Sequence, residues 1–121
     1  MAEVTVLRRG MIVEVNLDST VGSETGKTRP CVVVTNDVYN EWVPIVQVVP
    51  ITAWSAKKAK IITNIKLNLS KGNGLSERSI ADCLQTRPID RLHRLIKVRG
   101  EVSPEKQAEI NHALKILFGL S

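Results

Sequence analysis

Between Gly10 and Val102 the apolar residues fall into short, β-branched runs parted by turn formers, and a helical period appears only after Ser103. That order sets the fold more firmly than any other feature of the chain: short strands first, one helix last. Residues 10–17 (GMIVEVNL) alternate as a half-buried strand does. Residues 18–29 are polar, carry two glycines and predict a long loop. The continuous run at 30–35 predicts a buried strand. Asn36-Asp37 ends it, and a single helical turn is expected over 37–42. Further strands are expected at 44–51, 65–69, 79–84 and 96–102, with a loop over 53–64 and a turn over 70–74. Ser103 is a natural N-cap, followed by Pro104 at the first helical position and Glu105 in the first turn. Ile110, Ala113, Leu114, Leu117 and Phe118 then recur at helical spacing as one apolar stripe, and Gly119 supplies the stop. The class expected is mostly β (α+β): five to seven short antiparallel strands, strongly bent into a sheet or a small SH3-like barrel, packed on a C-terminal helix. A chain of 121 residues forms one domain, 1–121, and buries enough apolar surface to fold with neither disulfide nor metal.

The segment 21–34 (VGSETGKTRPCVVV) tests this reading. Gly26-Lys27-Thr28 imitates the end of a phosphate-binding P-loop, but three residues, not four, separate Gly22 from Gly26. A P-loop also opens a helix, whereas this loop runs into Pro30 and a valine-rich strand. The loop gathers Glu24, Lys27 and Arg29 beside a strand for some other purpose.

Hydrophobic residues make up 43% and charged residues 24%, which excludes a disordered chain. No apolar run reaches the length of a membrane span and the first nine residues lack a signal-peptide layout, so a cytoplasmic location is expected. Cys31 and Cys83 sit inside apolar runs and are expected to be buried small hydrophobes. The net charge of +5 is unevenly spread: residues 51–100 hold eleven basic and three acidic side chains, while the segments on either side are net acidic. Such asymmetry points to a polyanionic partner, nucleic acid above all. With only four aromatic residues, a face that stacks many bases is not expected.

No metal site is expected. His93 and His112 are far apart, have no cysteine or histidine at ligand spacing, and are expected at the surface. What remains is a set of polar residues at strand ends: Glu24 and Arg29 around the first loop, and Thr52 at the end of the third strand. Singly, each has a bland explanation, a loop ion pair or a β-branched strand residue.

Taken in order, Gly10-Met11-Ile12-Val13-Glu14-Val15, then Gly22-Ser23-Glu24 with Lys27 and Arg29-Pro30, then Asn36-Asp37, Pro50-Ile51-Thr52, Gly74-Leu75 and Gln85-x-Arg87-x-Ile89-Asp90, resemble the MazF/PemK family of bacterial toxins over residues 8 to 119. Where the PemK/Kid branch places an Arg and an Asp, the segment 80–85 reads Ile-Ala-Asp-Cys-Leu-Gln without the Arg, and the first loop has no His, so the MazF branch is closer. Pro88 stands where the family usually has Thr. The resemblance implies a barrel-like sheet with small helices and a homodimer. It implies a sequence-selective endoribonuclease, or mRNA interferase, that cuts single-stranded RNA with no cofactor. It also implies a MazE-type antitoxin whose flexible end covers the RNA groove. It assigns catalysis to Arg29, Thr52 and Glu24, with Glu24 as proton acceptor, as the group that orients Arg29 or as a reader of a nucleobase, and RNA contacts to Ser23, Lys27, Thr28, Gln85 and Arg87; Lys57 and Lys58 join the RNA contacts on charge alone.

The chemistry is coherent. RNA carries its own nucleophile, the 2′-hydroxyl, so the protein has only to accept a proton, stabilise a charged phosphorane and help the 5′-oxygen leave. A guanidinium at Arg29 suits forked contact with phosphate oxygens better than proton transfer, because it does not deprotonate. Two other readings stay open: a toxin of similar fold that poisons gyrase by binding it, as CcdB does, and a non-catalytic nucleic-acid-binding barrel.

Overall fold

The computed structural model describes residues 6–121; the residues before them, part of the segment read above for a signal peptide, lie outside that range. Seven strands form one antiparallel sheet: β1 (Met11–Asn16), β2 (Thr28–Val33), β3 (Ile45–Ala53), β4 (Asn64–Leu67), β5 (Ser79–Asp82), β6 (Arg87–Asp90) and β7 (Leu95–Glu101). Four helices punctuate it: α1 (Asp37–Asn40), α2 (Ala56–Ala59), α3 (Arg91–Arg94) and α4 (Pro104–Phe118). The strand order is β4-β5-β3-β2-β1-β7, with β6 paired to β3. The two ends of that order, β4 and β7, do not pair with each other, so the sheet is open rather than closed into a barrel.

The central strands are buried on both faces, which is why their runs are continuously apolar. On one face Ile12, Val32, Val49 and Ile51 pack with Ile65, Ala81 and Cys83 beneath Ile110 and Ala113 of α4. On the other, Val13, Val15, Cys31, Val33, Val46 and Val48 meet Ile89 of β6 and Leu95 of β7. Consecutive residues of β1, β2 and β3 therefore alternate between two cores. Each buried aliphatic side chain contributes about 1.5–3 kcal/mol against exposure. The C-terminal helix forms as expected. The Ser103 hydroxyl accepts from Lys106 N–H, Pro104 occupies the first turn, and Gly119 closes the helix at φ 69°. Phe118 departs from the expected stripe: it is exposed.

Several boundaries also differ from the expectation. The first loop ends at Lys27, so Thr28 and Arg29 belong to β2, where Arg29 lies opposite Val15. The loop over 53–64 contains α2, capped by Ser55. The strand expected over 79–84 stops at Asp82, and Cys83–Gln85 turn as a 3-10 helix. Strand β6 was not anticipated because of Pro88. It is tolerated there because β6 pairs only with β3, which leaves its other edge free of a ladder. The expected strand at 96–102 begins one residue earlier, and β4 ends at Leu67.

One break in the sheet positions the site. The pairing of β2 with β3 runs through Val33↔Val48, Val32↔Val49 and Cys31↔Pro50, and stops there. Pro30 and Pro50 sit at the stop, and neither can donate a ladder hydrogen bond. Beyond it Thr28–Arg29–Pro30 stay paired to β1, while Ile51–Thr52–Ala53 pair outward to β5. The two strand ends part, and a cleft opens between them.

Candidate active site

That cleft, about 140 Å³, is lined by Thr28, Arg29 and Pro30 from β2 and by Ile51, Thr52 and Ala53 from β3, with Glu77 and Arg99 among its other walls. Continuing the β2–β3 register two residues past Cys31↔Pro50 sets Arg29 level with Thr52. Two of the three expected catalytic residues are thus brought together by a local rule of strand geometry. The Arg29 Nε–H donates to the Gly26 carbonyl at 2.8 Å, which orients the guanidinium. Among the described residues its two terminal nitrogens have no hydrogen-bond partner, so the fork that suits a phosphate is left open. The Thr52 hydroxyl accepts from Lys58 Nζ at 3.3 Å.

Glu24 does not line this cleft. Its Oε1 accepts from Val21 N–H at 2.8 Å, closing a turn within the first loop. It lines a neighbouring cleft of about 350 Å³ with Ser19, Thr25, Gln85, Arg87 and Pro88. There Gln85 and Arg87, expected as RNA contacts, are engaged with the loop itself. Gln85 Oε1 accepts from Thr25 N–H at 3.1 Å and its Nε2 donates to the Ser23 carbonyl at 3.0 Å. Arg87 donates to the Leu17 carbonyl at 3.0 Å. Ser23 is exposed. Lys27, also exposed, adopts φ 67°, with its N–H donating to Asp18 Oδ1 and its carbonyl accepting from Leu17 N–H. Thr28 borders the first cleft. Of the two lysines chosen on charge, Lys58 reaches Thr52, whereas Lys57 is exposed on α2 and lines neither cleft.

Both cysteines are buried, and burial pushes each thiol up to about 12, against the pull of Arg87 and Arg29 on Cys31. Neither is a nucleophile. His93 and His112 are exposed, the former beside Asp90. The described residues contain no group of three or more His, Cys, Asp or Glu placed to hold a metal, and no helix among them is long and apolar enough to cross a membrane.

Arg99 and Glu77 are site residues that the sequence reading missed. Arg99 pairs with Glu14 at 3.2 Å and donates to the Gly74 carbonyl at 2.9 Å. The approach is possible because Gly72, Gly74 and Gly100 meet backbone to backbone. A Cβ on Gly100 would lie 2.2 Å from the Gly72 carbonyl oxygen, and one on Gly74, whose φ is +68°, 2.3 Å from that of Arg99. The glycines at 72–74 signalled a turn; nothing in them signalled that the turn docks on β7.

Fold and cleft together define a class: a small antiparallel sheet backed by one helix, with a guanidinium and a hydroxyl facing each other where two strands part. The chain belongs to the PemK-like, MazF-like toxins of type II toxin–antitoxin systems, the family whose sequence profile matches residues 8–118. It is 36% identical over 115 residues to the endoribonuclease MazF of Staphylococcus saprophyticus subsp. saprophyticus, covering 95% of this chain and 93% of that one. Among solved structures, MazF from Deinococcus radiodurans superposes with a TM-score of 0.78 at 22% identity, over 95% of this chain and 98% of that one. An endoribonuclease from a Mycobacterial species, solved in complex with its cognate antitoxin, gives 0.76 at 22% identity, over 96% and 98% of the two chains.

Proposed function

We propose that this toxin is a sequence-selective endoribonuclease that cleaves single-stranded RNA through attack of the 2′-hydroxyl on the adjacent phosphate. The observation that carries the reading is the placement of Arg29 and Thr52 on one cleft at the break between β2 and β3. The relative from Staphylococcus, named an endoribonuclease and alike over nearly the whole chain, supports it.

In this reading the 2′-oxygen forms its bond to phosphorus as the bond from phosphorus to the 5′-oxygen breaks, which leaves a 2′,3′-cyclic phosphate and a 5′-hydroxyl that takes its proton from water. The open fork of Arg29 takes the phosphate oxygens as charge builds on them, and the Thr52 hydroxyl donates to the same group. The nucleotide that carries the 2′-hydroxyl sits in the neighbouring cleft, where Glu24 accepts its proton. The clefts divide the work: the scissile phosphate occupies the smaller, and a flanking nucleotide the larger, beside Gln85 and Arg87. Ser23, Lys27 and Thr28 border the strand's path, with Lys57 adding charge from α2. The nucleophile belongs to the RNA, so the steps assigned to these residues call on no cofactor. We extend the reading to a homodimer acting in the cytoplasm and held inactive by a cognate antitoxin, as the complex of the Mycobacterial relative suggests.

The test is incubation of the purified protein with a long single-stranded RNA in EDTA, followed by sequencing of the fragment ends. Cleavage at a recurrent short sequence, lost in Arg29→Ala, is expected. An intact RNA, or cleavage that survives Arg29→Ala unchanged, overturns the reading.

A further inference from the structure

The two lysines of α2 are equivalent in charge and adjacent in sequence, yet the fold uses them differently. Lys57 is exposed. Lys58 is half-buried and turns inward, its Nζ donating to Thr52 Oγ1 at 3.3 Å. Its backbone is tied on both sides, although α2 is only one turn long. The Lys58 N–H donates to the capping Ser55 hydroxyl at 3.1 Å, and the Lys58 carbonyl accepts from Asn64 Nδ2 at 3.0 Å. Asp82, two residues along β5 from Ile80, the partner of Thr52, is near enough to feel the charge of Lys58. Burial pushes the Asp82 carboxyl up, while the backbone N–H groups of Gln85 and Leu84 and then the charge of Lys58 pull it back.

We infer that Lys58 is a positioning residue for RNA cleavage: its ammonium occupies an acceptor site of the Thr52 hydroxyl and so turns the hydroxyl proton toward the scissile phosphate. The inference rests on the ribonuclease reading above. A threonine hydroxyl has one proton and two acceptor sites, and an ammonium can only donate. With Lys58 as donor, Thr52 cannot spend its proton on Lys58 and keeps it for a substrate oxygen. A charged donor on the hydroxyl oxygen also polarises the O–H and strengthens the bond it gives. Lys58 acts through Thr52, whereas a general RNA contact would act through the phosphate backbone.

That difference can be measured. Single-turnover and steady-state cleavage of one RNA oligonucleotide would be compared for the unmodified protein, Lys58→Met, Lys58→Arg, Thr52→Val and the double variant Thr52→Val/Lys58→Met, each checked for an unchanged far-UV spectrum. Lys58→Gln serves if the Met variant does not fold. Lys58→Met is expected to lower kcat about 10-fold, the order set by one charge-assisted hydrogen bond, with KM nearly unchanged. Lys58→Arg is expected to recover part of that loss. In the Thr52→Val background the Lys58 substitution is expected to cost nothing more. Losses that multiply in the double variant, a loss confined to KM, or full activity in Lys58→Met overturns the proposal. An unmodified protein that cleaves no RNA overturns the ribonuclease reading itself, and this proposal with it.

Discussion

Two clefts lie along the segment 19–30, one against the first loop and one against the start of β2, and they use the same side-chain chemistry in opposite ways. In the larger, Gln85 gives both of its polar atoms to the backbone of Ser23 and Thr25, and Arg87 gives one terminal nitrogen to that of Leu17. In the smaller, Arg29 gives only Nε to Gly26 and keeps its terminal nitrogens open among the described residues. Arg87 and Arg29 both lie near Cys31, so the two share one region of positive potential. What separates them is the nitrogen they use. Arg87 gives one of its two terminal nitrogens to hold the loop, whereas Arg29 is held by the loop through Nε and keeps both terminal nitrogens. A polar group whose hydrogen bonds are already made has little to offer a ligand; one fixed at a single atom is both oriented and available.

If that contrast is right, the largest effect comes from the uncommitted arginine. Arg29→Ala is expected to lower cleavage by about 10²–10³-fold, the scale for removing one preorganised donor to developing charge, while the melting temperature stays close to that of the unmodified protein. Arg29→Lys is expected to recover little, since a point charge cannot reproduce the fork. Next comes Glu24, on the loop between the clefts. Glu24→Gln is expected to cost about 10²-fold in kcat and to flatten the acid limb of the pH–rate profile, as loss of a general base does. The same change at Glu77, which lines the smaller cleft from a turn, is expected to leave that limb in place. A flattened limb in Glu77→Gln and not in Glu24→Gln would move the base from one cleft to the other. Gln85 breaks the contrast from the committed side. Gln85→Leu removes two hydrogen bonds to the loop, at about 0.5–1.5 kcal/mol each, and is expected to lower stability and raise KM while kcat in saturating RNA changes least. A pure kcat loss would show that Gln85 touches the reacting group.

The two sides of the comparison were not equally legible in the sequence. Alternation and β-branching exposed six of the seven strand positions, and Ser103, Pro104 and Gly119 marked both ends of α4, because these signals are local. Strand β6 was hidden by Pro88, whose penalty holds for a central strand and lapses at an edge. Helix α2 was legible in principle, with Ser55 before Ala-Lys-Lys-Ala, but a four-residue helix has no apolar period to announce it. The openness of the sheet depends on which edges meet, and no segment encodes that alone. At the site, Arg29 and Thr52 were named as residues. Their juxtaposition depends on Pro30 and Pro50 ending a ladder between strands that are distant in sequence. The commitment of Gln85 and Arg87 was unreadable for the same reason: their partners lie 60 or more residues away.

The smallest effect concerns two aspartates with opposite displacement. Burial holds the Asp82 carboxyl above its ordinary value of 3.8, and the hydrogen bond from His93, joined by backbone donors at the start of α3, holds that of Asp90 below it. A group raised in the folded state favours the fold while it is protonated, so the contribution of Asp82 is complete at low pH and is lost as pH climbs through its raised value. For Asp90 the sign reverses: its contribution is present above the ordinary range and is lost as pH falls through its lowered value. Asp82→Asn is therefore expected to raise the melting temperature slightly at pH 7 and to leave it unchanged at a pH below the ordinary aspartate range. Asp90→Asn is expected to lower it slightly at pH 7, with the difference shrinking in acid. Melting curves of both variants across pH check the signs. A stabilising Asp82→Asn that also slows cleavage would show that the buried charge is kept to hold Lys58 in place against Thr52, at a cost to the fold.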